Sequence, residues 1–137
     1  MNSFLLDTNV VSEMRKLRPH GAVVAWLTEQ QDEQLFISAV TFGEIQAGVE
    51  RTRRQDPTKA GEIERWLDQL ADSYQVLPMD TPCFREWGGL MDQKPDQLLE
   101  DGMVAATASV HRLTVVTRNE RDFRQLGVRT LNPFKTG

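Results

Sequence analysis

The chain has 137 residues, 39% of them apolar and 26% charged, a balance that suits one folded domain with a real core and excludes a disordered polymer. Its net charge of −4, from 20 acidic and 16 basic residues, excludes a protein that coats nucleic acid by bulk charge while leaving room for local basic faces. No apolar run approaches the roughly 20 residues that span a bilayer, no basic region precedes an apolar stretch at the start, and Cys83 is alone, so a cytoplasmic protein is expected, without membrane attachment, disulfides or a cysteine metal cluster and with Cys83 as a small buried hydrophobe.

Taken in chain order, short apolar or β-branched runs alternate with helical patterns. Phe4–Leu6 reads as a buried strand, and a fresh apolar pattern follows over Thr8–Met14. Leu35–Ser38 is the second strand; Phe42, Ile45 and Val49 then form a helical stripe, with Thr41-Phe42-Gly43-Glu44 at the spacing of a capping box. Thr52–Thr58 reads as a polar connector leading to a helix over Lys59–Ser73, where Ile63, Trp66, Leu67 and Leu70 share one face. After the strand Gln75–Leu77, Thr81-Pro82 has the form of an N-cap followed by proline at the first helical position; Phe84, Trp87 and Met91 continue that helix until Lys94-Pro95. The alanine-rich Leu98–Leu113 suits a helix packed on several sides, and Thr114–Thr117 and Val128–Leu131 complete the strands. This alternation predicts an α/β layer fold with a mainly parallel sheet covered on both faces, in which ligands gather beyond the carboxyl ends of the strands.

Four acids draw attention to that edge. Asp7 follows the first strand, Glu44 lies early in the helix after the second, and Asp122 comes shortly after Thr114–Thr117; Asp101 opens the helix that leads into that strand, a position the sequence alone does not assign to either edge. Each has an ordinary structural explanation, since Asp is a strong N-cap and acids favour the positive end of a helix. Asp7 can cap Thr8–Met14, Glu44 can close the capping box, Asp101 can complement its helix start and Asp122 can hold a turn. Gathered together they would behave differently. Two carboxylates about 5 Å apart repel by roughly 3 kcal/mol at an effective dielectric near 20, so a cluster raises its own pKa values or binds a cation. Oxygen ligands without cysteine or a nearby histidine suit Mg²⁺ or Mn²⁺, and acids around such an ion point to phosphodiester chemistry.

The segments "LLDTNVVSEM", "ISAVTFGEIQAGVE", "EDGMVAATA" and "LTVVTRNERDF", in this order, resemble the motifs of PIN-domain ribonucleases, and most closely the FitB-like VapC toxins of bacterial toxin–antitoxin pairs. The likeness runs from about residue 3 to the "LNPF" near the end, so residues 1–137 are read as a single PIN domain. The resemblance implies a central parallel sheet of order 3-2-1-4-5 with helices on both faces. It places the family's metal-binding, catalytic acids on Asp7, Glu44, Asp101 and Asp122, and supporting polar residues on Asn9, Thr117 and Asn119. It implies Mg²⁺- or Mn²⁺-dependent cleavage of RNA of the tRNA or rRNA class by metal-activated water, a homodimer, and a VapB-like antitoxin through which the complex meets operator DNA. The third motif departs slightly: Glu100 replaces an apolar residue beside Asp101, and Gly102, where the family commonly has Ala or Ser, is expected to loosen the helix start.

Basic residues near the acids, Arg15, Lys16, Arg118 and Arg121, are candidates for gripping RNA, and equally for plain surface charge. His20, in an "RPHG" loop, and His111, near a helix end, are not needed as acid or base. Two other classes compete. A receiver-like signalling domain also places Asp at strand ends, but it needs a lysine after a late strand, where this chain has Thr117-Arg118-Asn119. A non-catalytic PIN-like module acting only as antitoxin partner or co-repressor would not require all four acids.

Overall fold

A computed structural model of the chain describes residues 2–135. Five parallel strands form one sheet: β1 (Phe4–Leu6), β2 (Leu35–Ser38), β3 (Gln75–Leu77), β4 (Thr114–Val116) and β5 (Thr130–Leu131), in the order β3-β2-β1-β4-β5. This is the order the resemblance implies. Leu5 of β1 pairs with Phe36 on one side and Val115 on the other, so the central strand is bonded along both edges.

Alternation along these strands divides the core. Phe4, Leu6, Leu35, Ile37 and Val116 face one side, where they meet α1 (Thr8–Glu13), α2 (Gly21–Glu29) and α4 (Pro57–Ser73) through Val10, Val11, Val23, Leu67 and Leu70. Leu5 and Val115 face the other side, against α6 (Leu99–His111) and α7 (Glu120–Gln125) through Val104, Ala105, Ala108 and Phe123. Helix α3 (Ala39–Arg53) contributes to both clusters, and α5 (Thr81–Leu90) packs along α6. The sheet is thus covered on both faces, which is why its strands are nearly continuous apolar runs. Edge strand β3 is the exception, with Gln75 and Val76 exposed. Among the described residues no helix is long and apolar enough to cross a membrane.

Several local expectations are corrected. Helix α3 starts at Ala39, directly out of β2, and Ser38 caps it by accepting from the Val40 amide; Thr41 lies inside the helix, so no capping box joins it to Glu44. Asp80, not Thr81, caps α5, accepting from the Cys83 amide at 3.2 Å, and that helix ends at Leu90, before Lys94-Pro95. The polar connector shrinks to residues 54–56, where Asp56 caps α4. Strand β4 stops one residue short of Thr117, and β5 keeps only the last two residues of its expected span, after a turn in which Gly127 has φ +76°. Cys83 is buried as expected.

Gly102 does not loosen its helix. It is buried within α6, and a Cβ there would stand 2.6 Å from Met91 Sδ and 3.3 Å from Trp87 Cδ1, while Trp87 Nε1 donates to the Leu99 carbonyl. The missing side chain lets α5 and α6 approach closely. Gly88, on exposed α5, has nothing within 4 Å of its would-be Cβ. Gly102→Ala is therefore expected to lower stability by about 1 kcal/mol, overpacking outweighing helix propensity, whereas Gly88→Ala should raise it by up to about 1 kcal/mol. Paired thermal melts by circular dichroism check the opposite signs.

Candidate active site

Parallel strands put the carboxyl ends of β1, β2 and β4 on one edge, and the elements that leave or enter there bring the acids with them. Asp7 follows β1; its amide donates to the Val116 carbonyl, extending the ladder by one bond. Glu44 rides on α3, six residues past the end of β2. Helix α6 runs back across the sheet into β4, so its first turn, with Asp101, returns to the same edge. Asp122 lies in the first turn of α7 beyond β4.

Asp7 occupies the N-cap position of α1, yet its side chain makes no cap bond to that helix. Its Oδ2 instead accepts from Thr117 Oγ1 at 2.9 Å and from Asn9 Nδ2 at 3.1 Å. Thr117 Oγ1 in turn accepts from the Asn119 amide at 2.9 Å. Asn9 Oδ1 accepts from the Arg118 amide at 3.1 Å, so the loop after β4 is tied to the start of α1. The side-chain amide of Asn119 donates to Asp122 Oδ2 at 2.8 Å and to Asp101 Oδ2 at 3.4 Å, bridging two acids from different helices. Thr8 Oγ1 donates to Glu44 Oε1 at 3.1 Å and lies 3.1 Å from Thr41 Oγ1. The polar positions Asn9, Thr117 and Asn119 thus join Asp7, Asp101 and Asp122 in one network, and Thr8, which sequence reasoning misses, holds Glu44. Its only signal is its place directly after Asp7, in the first turn of α1.

Electrostatics show that the acids sense one another. Burial pushes the Asp7 carboxyl above its ordinary range, with hydrogen bonds from Thr117, the Thr8 amide and Asn9 pulling the other way. Glu44 rises to about 7, first through burial, then through side-chain hydrogen bonding with Glu100, with the charges of Glu100 and Asp7 adding to the effect and the Thr8 hydroxyl opposing it. Asp101 rises to about 6 through burial and the charges of Asp7, Asp122 and Glu100. Glu100 is therefore a fifth member of the acidic edge, beside Asp101 rather than in place of it.

Among the described residues no three acidic, histidine or cysteine side chains are gathered closely enough, as they stand, to hold a metal ion, and none of these five carboxylates is in an ion pair. The edge is open, negatively charged and without a compensating cation. In donor chemistry it fits a hard divalent ion: carboxylate oxygens that disfavour their own ionisation and are freed from that cost when a cation arrives.

The basic candidates separate. Arg15 borders a cleft of about 350 Å³ that opens beside Thr8 and Glu44 and also meets Arg51. Lys16 is engaged with buried Glu13 in an ion pair rather than with any of the site acids. Arg118 follows Thr117 directly, and Arg121 is exposed on α7. His20 caps α2 through Nδ1, and His111 ends α6, consistent with structural places for both.

Comparison with known proteins identifies the family. A family profile described as PIN domain matches residues 4–128. VapC ribonuclease Y4jK of Sinorhizobium fredii is 37% identical over 142 residues, spanning 96% of this chain and 97% of the relative. Toxin FitB of Neisseria gonorrhoeae is 33% identical over 137 residues, spanning 95% and 97%. The crystal structure of FitAcB from Neisseria gonorrhoeae superposes with a TM-score of 0.86 at 31% identity, covering 97% of this chain and 99% of that one. The chain belongs to the PIN-domain family, in the group that holds VapC and FitB.

Proposed function

We propose that this protein is a Mg²⁺- or Mn²⁺-dependent endoribonuclease, the toxin of a VapBC-type toxin–antitoxin module. The observation that carries the reading is the acidic edge itself: Asp7, Glu44, Asp101 and Asp122, drawn from four stretches of chain, with raised pKa values on Asp7, Glu44 and Asp101 and no cation in ion-pair contact. The names of VapC ribonuclease Y4jK and Toxin FitB support it. As partners we propose RNA of the tRNA or rRNA class, a VapB-like antitoxin through which operator DNA is met, and a second copy of the chain.

Asp7, Glu44 and Asp101 would hold the ion, with Asp122 assisting. When bound, a divalent ion lowers the pKa of water and offsets charge on the scissile phosphate. The chain's own residues do the rest. Thr117 and Asn9 fix the direction of Asp7 by hydrogen bonds, leaving Oδ1 outside that pair. Asn119 holds Asp101 and Asp122 in register through one amide. One acid of the edge, Asp101 or Asp122, would orient the attacking water or accept its proton on a carboxylate oxygen.

Because water is the nucleophile, the RNA 2′-hydroxyl does not react, and the products are expected to carry a 5′-phosphate and a 3′-hydroxyl. Incubating the protein with RNA and Mg²⁺ or Mn²⁺ and characterising the ends tests this directly. Cyclic 2′,3′-phosphate ends would overturn the mechanism; tight RNA or antitoxin binding without any cleavage would favour the non-catalytic module.

A further inference from the structure

One cation next in the chain to the acidic edge is held in an unusual way. Arg118 follows Thr117, and its amide is bonded to Asn9, whose own amide touches Asp7. A flexible guanidinium whose backbone adjoins an acidic edge is free to fold onto a carboxylate in a charge-assisted pair. Among the described residues it forms no such pair. Its Cζ instead lies 3.8 Å from the centroid of the Phe134 ring. Phe134 is itself fixed: its amide donates to Asn132 Oδ1, its side chain packs against the β1–β2 core cluster, and the His20 ring meets it edge-on with centroids 5.2 Å apart. The His20 amide donates to buried Glu13, whose carboxyl is held below its ordinary range first by Lys16, then by this amide, and least by the charge of Arg118. The ring therefore holds the guanidinium next to the loop that carries Thr117, and among the described residues the guanidinium makes no side-chain hydrogen bond or ion pair.

We propose that Phe134 is a positioning residue that sets Arg118 as a clamp for an RNA backbone phosphate next to the one being cleaved. Arginine on an aromatic face keeps its fork of donors for phosphate, which a lysine cannot reproduce. Keeping the cation off the carboxylates also leaves their oxygens available to a metal ion. This inference rests on the ribonuclease reading, but its test does not need turnover.

The probe is a fluorescent single-stranded RNA of about 20 nucleotides, bound in EDTA at salt between about 50 and 200 mM. Arg118→Gln is expected to weaken binding and to reduce the slope of log K against log salt by about 0.7, the signature of one lost phosphate contact on a single strand. Phe134→Leu should weaken binding about two- to fivefold, Phe134→Trp should restore it, and Phe134→Leu should have no further effect in an Arg118→Gln background. With Mg²⁺ present, both single variants should raise KM with kcat unchanged. An unchanged salt slope in Arg118→Gln, or an equal loss from Phe134→Leu in both backgrounds, overturns the clamp. Arg118 is exposed, so its arm does not depend on how well the Phe134 variants fold. Wild-type protein that binds RNA with the expected Arg118 dependence but never cleaves it would sustain the phosphate contact and sink the ribonuclease reading.

Discussion

Asp7→Asn is expected to reduce RNA cleavage by at least about 10²-fold while leaving the melting temperature at or above that of the wild type, since removing a metal ligand or acid–base group costs on that scale. The two halves of this result matter together. Asn has the shape of Asp and caps helices as well as Asp does, so if Asp7 served only to start α1, the variant would be active and equally stable. The structure already removes the cap bond and turns the carboxylate towards Thr117 and Asn9. Asp7 is only 6% exposed and burial raises its pKa, so its charge is a cost to the folded chain, and neutralising it does not weaken the fold. Steady-state cleavage assays and a thermal melt on the same preparation check both halves. Retained cleavage would refute the assignment of Asp7, and lost cleavage with a large fall in melting temperature would show that the carboxylate is a structural residue.

A second large effect concerns pH and metal. Glu44 titrates at about 7 in the folded chain against 4.5 ordinarily, and Asp101 at about 6 against 3.8. Raised carboxyl pKa values mean that the folded state binds more protons than the unfolded one. Their contribution is fully present below the ordinary values and is lost as pH rises through 6 to 7. Metal-free protein is therefore expected to lose stability between about pH 5 and pH 8, by about 1–2 kcal/mol once solvent screening of these half-exposed groups is counted. The acids with lowered pKa values, Glu13, Glu50, Glu64, Asp80 and Glu120, act in the opposite sense and only at lower pH, so this window isolates the site. Mn²⁺ at about a hundred times its Kd should return about 2.7 kcal/mol at the upper end. Asp101→Asn should raise the melting temperature of the metal-free protein there and abolish the response to Mn²⁺. Melts at both pH values, with and without Mn²⁺, decide it; a wild type indifferent to pH and to Mn²⁺ would remove the metal from the proposal.

Much of this architecture is legible in the chain because the strands are short and buried on both faces. Runs such as Phe4–Leu6 and Leu35–Ser38 match their strands to the residue. Asp101 is placed only by three-dimensional direction, since a helix entering a parallel strand must begin at that strand's far end. Helix α2 escapes the sequence reading although Val23, Trp26 and Leu27 sit at helical spacing, because its flanks, His20 and Gln30, look like loop. The caps at Ser38 and Asp80 are displaced from Thr41 and Thr81 because those helices begin earlier, straight out of the preceding strand in α3 and one residue ahead in α5. Phe134 lies in the "LNPF" where the family likeness ends, but its contact with Arg118 exists only once β5 has carried the chain back.

The central strand, β1, is bonded to β2 on one side and to β4 on the other, and Asp7 takes its hydrogen bond from Thr117 near the far end of the polypeptide. A nascent chain that has emerged only through α5 has Asp7 and Glu44 but lacks Asp101, Asp122, Thr117 and Asn119, and half of β1 is unpaired. The proposed cleavage would therefore begin only once the chain through Asp122 has joined β1, because the set of acids is incomplete before then.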